Sequence, residues 1–591
     1  MNTQLKIADD RTAIRPADSP VAPDTRGMNF YAADASLRGL LPLYLDAETL
    51  GQIEPHLRRM GELAANRLED LAMAADKHPP ALVQRTPRGE DRQSVDYHPA
   101  YREMERIAFG EFGLHAMSHR GGVLGRATPW PATAKYALSY LFVQAEFGLL
   151  CPVSMTDTVH GLIARNGPDT LRERYGAPML RQDLEALYQG AMFMTERHGG
   201  SDVGANQVVA RQEAGEWRLY GDKWFCSNVD AEVTAVLARP EGAGPGTRGL
   251  GLFLLPRHLD DGRPNRYRIV RLKDKLGTRS MASGEVVLEG ATAHVIGEID
   301  RGILQMMETV NASRLSQSMR AAGVMRRCWH DALTVARHRV AWGRPIAEFP
   351  LLRRQLLKIL LPAEECLSLL LFIGQALDRA EAGDETAAQL LRLATPLIKF
   401  RSNRDQRRIT GDALEVRGGN GYIEDWANPR LVRDGHLGVL WEGTSNMVAL
   451  DALQRAVARK GAHRVFRATL RERLDAAAKV PAPVRDRLRG HVDRAVAYAE
   501  RVASQGEAGE AQARKAASAL YHAASAALLC WEASMLDNPN RLLLAGLVDR
   551  FKLSPQDPLS DDDAALETAA AGALIDDAPT TLLAAAALIA G

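Results

Sequence analysis

The sequence predicts a mostly helical α+β chain. It has an N-terminal helical domain, a central antiparallel β barrel or sandwich, a C-terminal four-helix bundle and an extra C-terminal helical domain. Three observations predict it. Apolar residues recur at three and four positions up to about residue 189, and again after Gly302. Between those limits, short runs rich in β-branched and aromatic residues alternate with Gly-rich punctuation. A chain of 591 residues is also too long for one core, so several units must pack together.

Residues 1–27 are rich in Pro, Asp, Thr and Arg without periodicity and are expected to form a disordered arm. Residues 28–189 form the N-terminal helical domain; Leu57, Met60, Ala64, Leu68 and Leu71 carry its spacing. Pro79-Pro80, and later Pro129 and Pro131, divide it into blocks, and the polar stretch 77–98 reads as a long surface loop. Residues 190–302 form the middle β domain, with strands expected at 208–211, 217–219, 233–237, 250–255, 267–270 and 285–288. A Gly-rich, hairpin-like connection is expected at 240–248. Residues 303–456 form the helical bundle, with Pro345, Pro350, Pro362 and Pro396 at expected helix ends. Residues 457–553 are the extra helical domain, Arg-rich at its start. Residues 554–591 contain no Lys or Arg and read as an acidic, Ala-rich tail.

Lys and Arg number 74 against 73 Asp and Glu, so no global field selects a nucleic acid or a membrane. Locally, residues 451–494 hold twelve basic and five acidic residues. The five cysteines are scattered without a CxxC pair, which predicts a reduced, cytoplasmic setting and no metal site. No run approaches the ~18 apolar residues of a membrane span, and the N-terminus lacks a signal-peptide pattern.

Five stretches carry candidate chemistry. In Val439–Asn446 (VLWEGTSN), Glu442 follows an apolar run and precedes a Gly and a helical pattern. Beside Trp441 its carboxylate would lose solvation and suit a general base; an ordinary acid at a helix N-terminus is the other reading. Thr444 and Ser445 suit capping of that helix. In FMTERHGGSDV, two glycines allow close backbone approach to a ligand, with the Thr195 and Ser201 hydroxyls beside them. GDKWFCSN places aromatic faces next to the Ser227 hydroxyl on a strand. NASRL puts Arg314 on a helix, where it either orients a carboxylate or is a solvated charge. EVRGGNGY exposes successive amides suited to a pyrophosphate, without GxGxxG spacing.

Taken together and in this order, TE…GSD, K-x-W/F-x-S-N, the Arg-bearing helix, R-x-x-W-G, GGNG and EGT resemble the acyl-CoA dehydrogenase family of flavoproteins. MTERHGGSDV, GDKWFCSN, LKDKLGTRSMAS, AGVMRRCW and EVRGGNGY are similar to its AidB-type branch, which is associated with the bacterial response to DNA alkylation. The resemblance implies an FAD-dependent oxidoreductase acting on the CH–CH group of an acyl-CoA thioester. Glu442 would take the α-proton while the β-hydrogen leaves as hydride to flavin N5, with Arg314 as the electrostatic neighbour of Glu442. It implies that Met194, Thr195, Ser201, Phe225 and Ser227 line the flavin. Arg339, Trp342, Gly418 and Gly419 would meet FAD across a subunit boundary, and Thr444 and Asn446 would add contacts beside the base. A homo-oligomer, by family norm a tetramer, and an electron-transfer acceptor follow as expected partners. Glu415 stands where relatives have Gln, with Arg417 as its expected partner. The alternative reading is an AidB-like flavoprotein acting mainly by binding duplex DNA through residues 455–501, with weak or vestigial dehydrogenase activity.

Overall fold

Side-chain caps set the first helices. In the computed structural model, which describes residues 21–555, 557, 559 and 564–590, Asn29 caps α1 (Phe30–Ala33), Asp34 caps α2 (Ala35–Tyr44) and Asp46 caps α3 (Ala47–Ala65). α4 (Arg67–Lys77) leads into two strands, β1 (Ala81–Arg85) and β2 (Asp91–Asp96), where a surface loop was expected. The reason is local: Leu82 and Val95 are cross-strand partners, and both lie on the apolar core of the β domain. Four further helices complete this part: α5 (Pro99–Glu105), α6 (Ala132–Phe142), α7 (Leu150–Asn166) and α8 (Asp169–Leu171).

The middle domain holds β3 (Gly190–Phe193), β4 (Val209–Glu213), β5 (Glu216–Ser227), β6 (Val233–Pro240), β7 (Gly251–Pro256), β8 (Tyr267–Leu272) and β9 (Ser283–Val295). β6 pairs β4, β4 pairs β5, β5 pairs β9, β9 pairs β7, and β7 returns to β6, so the pairings close a ring. β8 joins β9 antiparallel, whereas β3 and β4 both run parallel to β6. The expected antiparallel barrel is thus closed by one parallel pair, β4 with β6, and carries β3 as a second parallel neighbour of β6.

α9 (Gly302–His338) and a two-residue ribbon, β10 (Val340–Ala341) and β11 (Arg344–Pro345), precede α10 (Pro350–Glu381), α11 (Glu385–Arg417), α12 (Ala427–Gly435) and α13 (Ser445–Leu450). Pro350 opens α10 as expected, but Pro362 and Pro396 lie inside α10 and α11 rather than at their ends. Both are buried against neighbouring helices, where packing outweighs one lost amide donor. Gly323 lets α9 and α6 touch: a Cβ there would meet Val143 Cγ1 at 2.3 Å and the Tyr140 carbonyl at 2.6 Å.

The remaining helices are α14 (Ala462–Ala476), α15 (Ala482–Ser504), α16 (Ala513–Leu536), α17 (Pro539–Val548), α18 (Ala564–Ile575) and α19 (Leu582–Ala590). One apolar core runs from α1 through the bundle and into all six. Buried charges cross the same boundary. Arg541 of α17 pairs with Glu364 of α10 and, at 2.5 Å, with Glu532 of α16. Glu364 also accepts from Arg326 of α9 at 2.6 Å.

Two terminal expectations are corrected. Of the arm, residues 1–20 lie outside the described residues, but Ala22 and Thr25 are buried and Arg417 donates to the Ala22 and Pro23 carbonyls. The C-terminal stretch folds into α18 and α19 because its alanines pack on α17 and its acids find arginines of the bundle: Glu567 pairs with Arg354, Asp576 with Arg353 and Asp577 with Arg337. All five cysteines are buried free thiols. No helix of the described residues is long and apolar enough to cross a membrane.

Candidate active site

Glu442 lies on the short loop between α12 and α13 and holds a left-handed backbone, φ +50°. Such a conformation in a non-glycine residue persists only where its surroundings enforce it. Here two cations hold three successive carbonyls. Lys399 Nζ of α11 donates to Trp441 O at 2.8 Å and to Gly443 O. Arg314 Nε of α9 donates to Glu442 O at 3.1 Å. Arg314 is itself fixed by Asn311 and by a buried ion pair with Asp451 at 2.7 Å, and Asp451 also takes Arg392. Arg314, expected as an electrostatic neighbour of the carboxylate, therefore spends its bonds on the main chain and on Asp451. Thr444 sits at the N-cap of α13 as expected, but its side chain makes no capping bond.

The Glu442 side chain is half-buried, yet its Oε2 is closed to solvent and has no hydrogen-bond partner among the described residues. Burial pushes this carboxyl above the ordinary carboxylate range, against the pull of Lys399, Arg320 and Arg314. Burial likewise pushes the Lys399 ammonium down to about 8, against the pull of Glu442. Trp441 is held by its indole N–H, which donates to Gln317 Oε1 at 2.9 Å, and it stacks on Phe147 at 6.4 Å between centroids. Arg320 lies over both rings. Lys399, Asp451, Gln317 and Arg320 carry no motif in the sequence, and six residues along one helix put Arg314 and Arg320 on different faces, so nothing local signalled that both surround one acid.

The barrel contributes a second group. The Trp224 amide of β5 donates to Thr195 O at 2.9 Å, which sets Met194 and Thr195 beside Phe225 and Ser227. The turn between β3 and β4 is anchored by a buried pair, Lys223 Nζ to Glu196 Oε1 at 2.7 Å. Gly199 permits that turn, since a Cβ there would meet Asn206 Oδ1 at 2.0 Å. Ser201 is exposed, Ser227 Oγ lies 3.2 Å from Ser283 Oγ, and the Phe225 ring is 57% exposed. Arg197 pairs with Asp222 and lies over the Trp224 ring. The barrel docks on the bundle at α12: Thr278 N donates to Asp434 Oδ1 at 2.6 Å, and Gly277 allows that approach.

A third group stands apart. Arg339 lies 25 residues beyond Arg314 along α9, a rise of about 37 Å. Trp342 follows on the ribbon, 89% exposed. Gly418 lies 19 residues beyond Lys399 on α11, about 28 Å away. Gly418 holds φ +70°, and a Cβ at Gly418 or Gly419 would meet nothing within 4 Å, so this backbone is open to approach. The chain thus brings Glu442, Arg314, Thr444 and Asn446 together, and separately Met194, Thr195, Phe225 and Ser227. It does not bring Arg339, Trp342, Gly418 and Gly419 to Glu442. The expected Glu415–Arg417 pair is absent: Arg417 pairs with Asp331 at 2.5 Å and Glu415 accepts from Gln355 at 3.2 Å. The two side chains leave α11 on different sides, one buried and one exposed.

An exposed aromatic beside two hydroxyl residues, an open glycine backbone and a buried carboxylate oxygen without a donor together fit a flat dinucleotide cofactor and a reacting carbon acid. Comparison with known proteins defines the class. Residues 191–291 match the acyl-CoA dehydrogenase middle domain and residues 300–458 its C-terminal domain. The chain belongs to the acyl-CoA dehydrogenase family, whose members are FAD-dependent oxidoreductases. Residues 21–182 match the N-terminal domain of the adaptive response protein AidB, which places the chain in the AidB-type branch. It is 32% identical to AidB of Escherichia coli over 72% of this chain and 77% of that protein. It is 30% identical to acyl-CoA dehydrogenase family member 11 of Caenorhabditis elegans over 71% of this chain and 69% of that protein. The structure of Caenorhabditis elegans ACDH-11 in complex with C11-CoA superposes with a TM-score of 0.83 at 26% identity, covering 94% of this chain and 96% of that one.

Proposed function

We propose that the chain dehydrogenates an acyl-CoA thioester with Glu442 as the base that removes the α-proton. One observation carries this reading. Glu442 presents a desolvated carboxylate oxygen without a donor, on a loop whose three carbonyls are pinned by Lys399 and Arg314. FAD, when bound, supplies the two-electron acceptor for the β-hydrogen. Met194, Thr195, Ser201, Phe225 and Ser227 would hold its heterocycle along the barrel edge, and Thr444 and Asn446 would add contacts beside the base. The Glu442 carboxyl receives the proton, and the Glu442 amide is the proposed donor to the thioester carbonyl. The C11-CoA complex of the nematode relative supports an acyl-CoA ligand.

Arg339, Trp342, Gly418 and Gly419 lie too far along α9 and α11 to serve the same Glu442. We read them as serving the site of another copy in a homotetramer. The buried free thiols are in keeping with a reduced, cytoplasmic setting and with reoxidation there by an electron-transfer partner. The test is anaerobic titration of the FAD-loaded protein with short, branched and long acyl-CoAs. Bleaching of the flavin by at least one is expected. A visible spectrum unmoved by all of them overturns the reading and leaves an inert FAD scaffold.

One observation favours duplex DNA as a second ligand. In the basic region, Arg467, Arg471, Arg487 and Arg489 are ion-paired. Arg455, Arg459, Lys460 and Arg464 are exposed and make no ion pair among the described residues. Four phosphate contacts predict a slope of log affinity against log salt of about −3 to −4. An electrophoretic shift at low salt that is lost when these four are changed to Gln supports DNA binding. No shift with micromolar protein removes it.

A further inference from the structure

Eight arginines of the described residues are buried. Seven of them are ion-paired to a buried carboxylate, as Arg314 is to Asp451, Arg327 to Glu69 and Arg541 to Glu532. Arg320 is the exception. It is 1% exposed, its Nη2 donates to Ser316 Oγ at 3.3 Å, and its Nε and Nη1 have no partner among the described residues. A buried charge without a counter-ion costs several kcal/mol in general, so a fold that pairs the other seven has a reason to leave this one open. The guanidinium is 5.3 Å from the centroid of Trp441, the residue preceding Glu442, and the Glu442 Oε2 is the complementary orphan, a buried acceptor without a donor.

We propose that Arg320 is a positioning residue for proton abstraction: its guanidinium, without an ion-pair partner and held over the Trp441 indole, is a permanent counter-charge, beside that of Lys399, that favours the ionised form of Glu442. This rests on Glu442 being the base. The other groups facing that carboxyl are Arg314 of α9, Lys399 of α11 and Cys151 of α7. None replaces Arg320. The charge of Arg314 is offset by Asp451 at 2.7 Å. The Lys399 ammonium is tied to two carbonyls and loses its proton near pH 8. The Cys151 thiol, pushed up to about 11 by burial, stays neutral at physiological pH. An arginine guanidinium, unlike an ammonium, is charged throughout the physiological range.

Infrared difference spectroscopy of the FAD-loaded protein, referenced to Glu442→Gln, follows the Glu442 carboxyl directly. In Arg320→Met its titration should move up by about one pH unit or more, with flavin absorbance unchanged. In Arg320→Lys it should return most of the way to wild type. A double-mutant cycle of melting temperatures between Glu442→Gln and Arg320→Met should show coupling, because removing one charge relieves the cost of the other. Unshifted titration in Arg320→Met, equal shifts in both variants, or additive melting changes each overturn the proposal. Should Arg320→Met not fold, the same titration and cycle in Arg320→Gln decide. Neither readout needs turnover, so failure of every acyl-CoA to bleach the flavin would sink the base assignment and leave this test intact.

Discussion

Lys399 and Glu442 are joined through the main chain: the Lys399 ammonium donates to the carbonyls on either side of Glu442, and so holds the acid in its left-handed turn. The same lysine is the strongest opposing charge on that carboxyl. One side chain thus fixes both where the acid stands and how readily it ionises.

This pairing predicts a pH dependence of stability. Burial holds Lys399 at about 8, below its ordinary 10.5, so the folded chain releases this proton first. Between those values the unfolded chain binds more protons, and the Lys399 contribution to stability rises with pH. Lys399→Met removes that rise. The gap in melting temperature between wild type and variant should widen in favour of wild type from about pH 8 to 10. A constant gap contradicts the assignment.

Glu442→Gln keeps the loop bonds of Lys399 and Arg314, which go to backbone carbonyls. It should retain FAD and lose flavin bleaching by about 10²-fold to 10⁴-fold. Stopped-flow reduction with the best acyl-CoA checks this, and wild-type rates in the variant would remove Glu442 as the base.

A Cβ at Gly418 meets nothing within 4 Å among the described residues, but φ +70° disfavours the β-branched side chain of Gly418→Val. If the open backbone serves a neighbouring copy, FAD content should fall while circular dichroism stays native. Full FAD occupancy in the purified variant would argue against that role.

Arg541 neutralises two buried carboxylates, Glu364 and Glu532. Arg541→Met leaves Glu532 uncompensated and Glu364 with Arg326 alone, and should cost about 3–5 kcal/mol in denaturant unfolding. Because Glu364 lies on α10 and Arg541 on α17, separate melting of the bundle and the C-terminal helices should appear with this loss. A single transition at the wild-type midpoint would show the pair to be dispensable.

The helix and strand texture of the chain was legible because it rests on local periodicity: five of the six expected strands overlap β4, β6, β7, β8 and β9, and the short run at 217–219 begins the much longer β5. Hidden from such reading were the β1–β2 pair, whose two apolar residues count only once the barrel face lies beneath them, and the internal prolines of α10 and α11, which only packing makes tolerable. Thr195, Phe225, Ser227 and Glu442 were singled out from motif order as candidates. Lys399 and Arg320 were not, because each lies in an unremarkable helical stretch far in sequence from the acid it faces.

What the sequence by itself determined, then, was the order of domains and the family to which they belong, and it singled out the acid we propose as the base, since motifs and periods are properties of neighbouring residues. Only the tertiary structure decided which charges surround that acid, and it did so against expectation. Asp451 takes up the charge of Arg314, Arg320 is left unpaired, and Lys399 reaches across from α11. Charge pairing depends on distance through space, and burial magnifies it. Residues 43 and 122 positions away along the chain therefore govern Glu442 more than its own neighbours do.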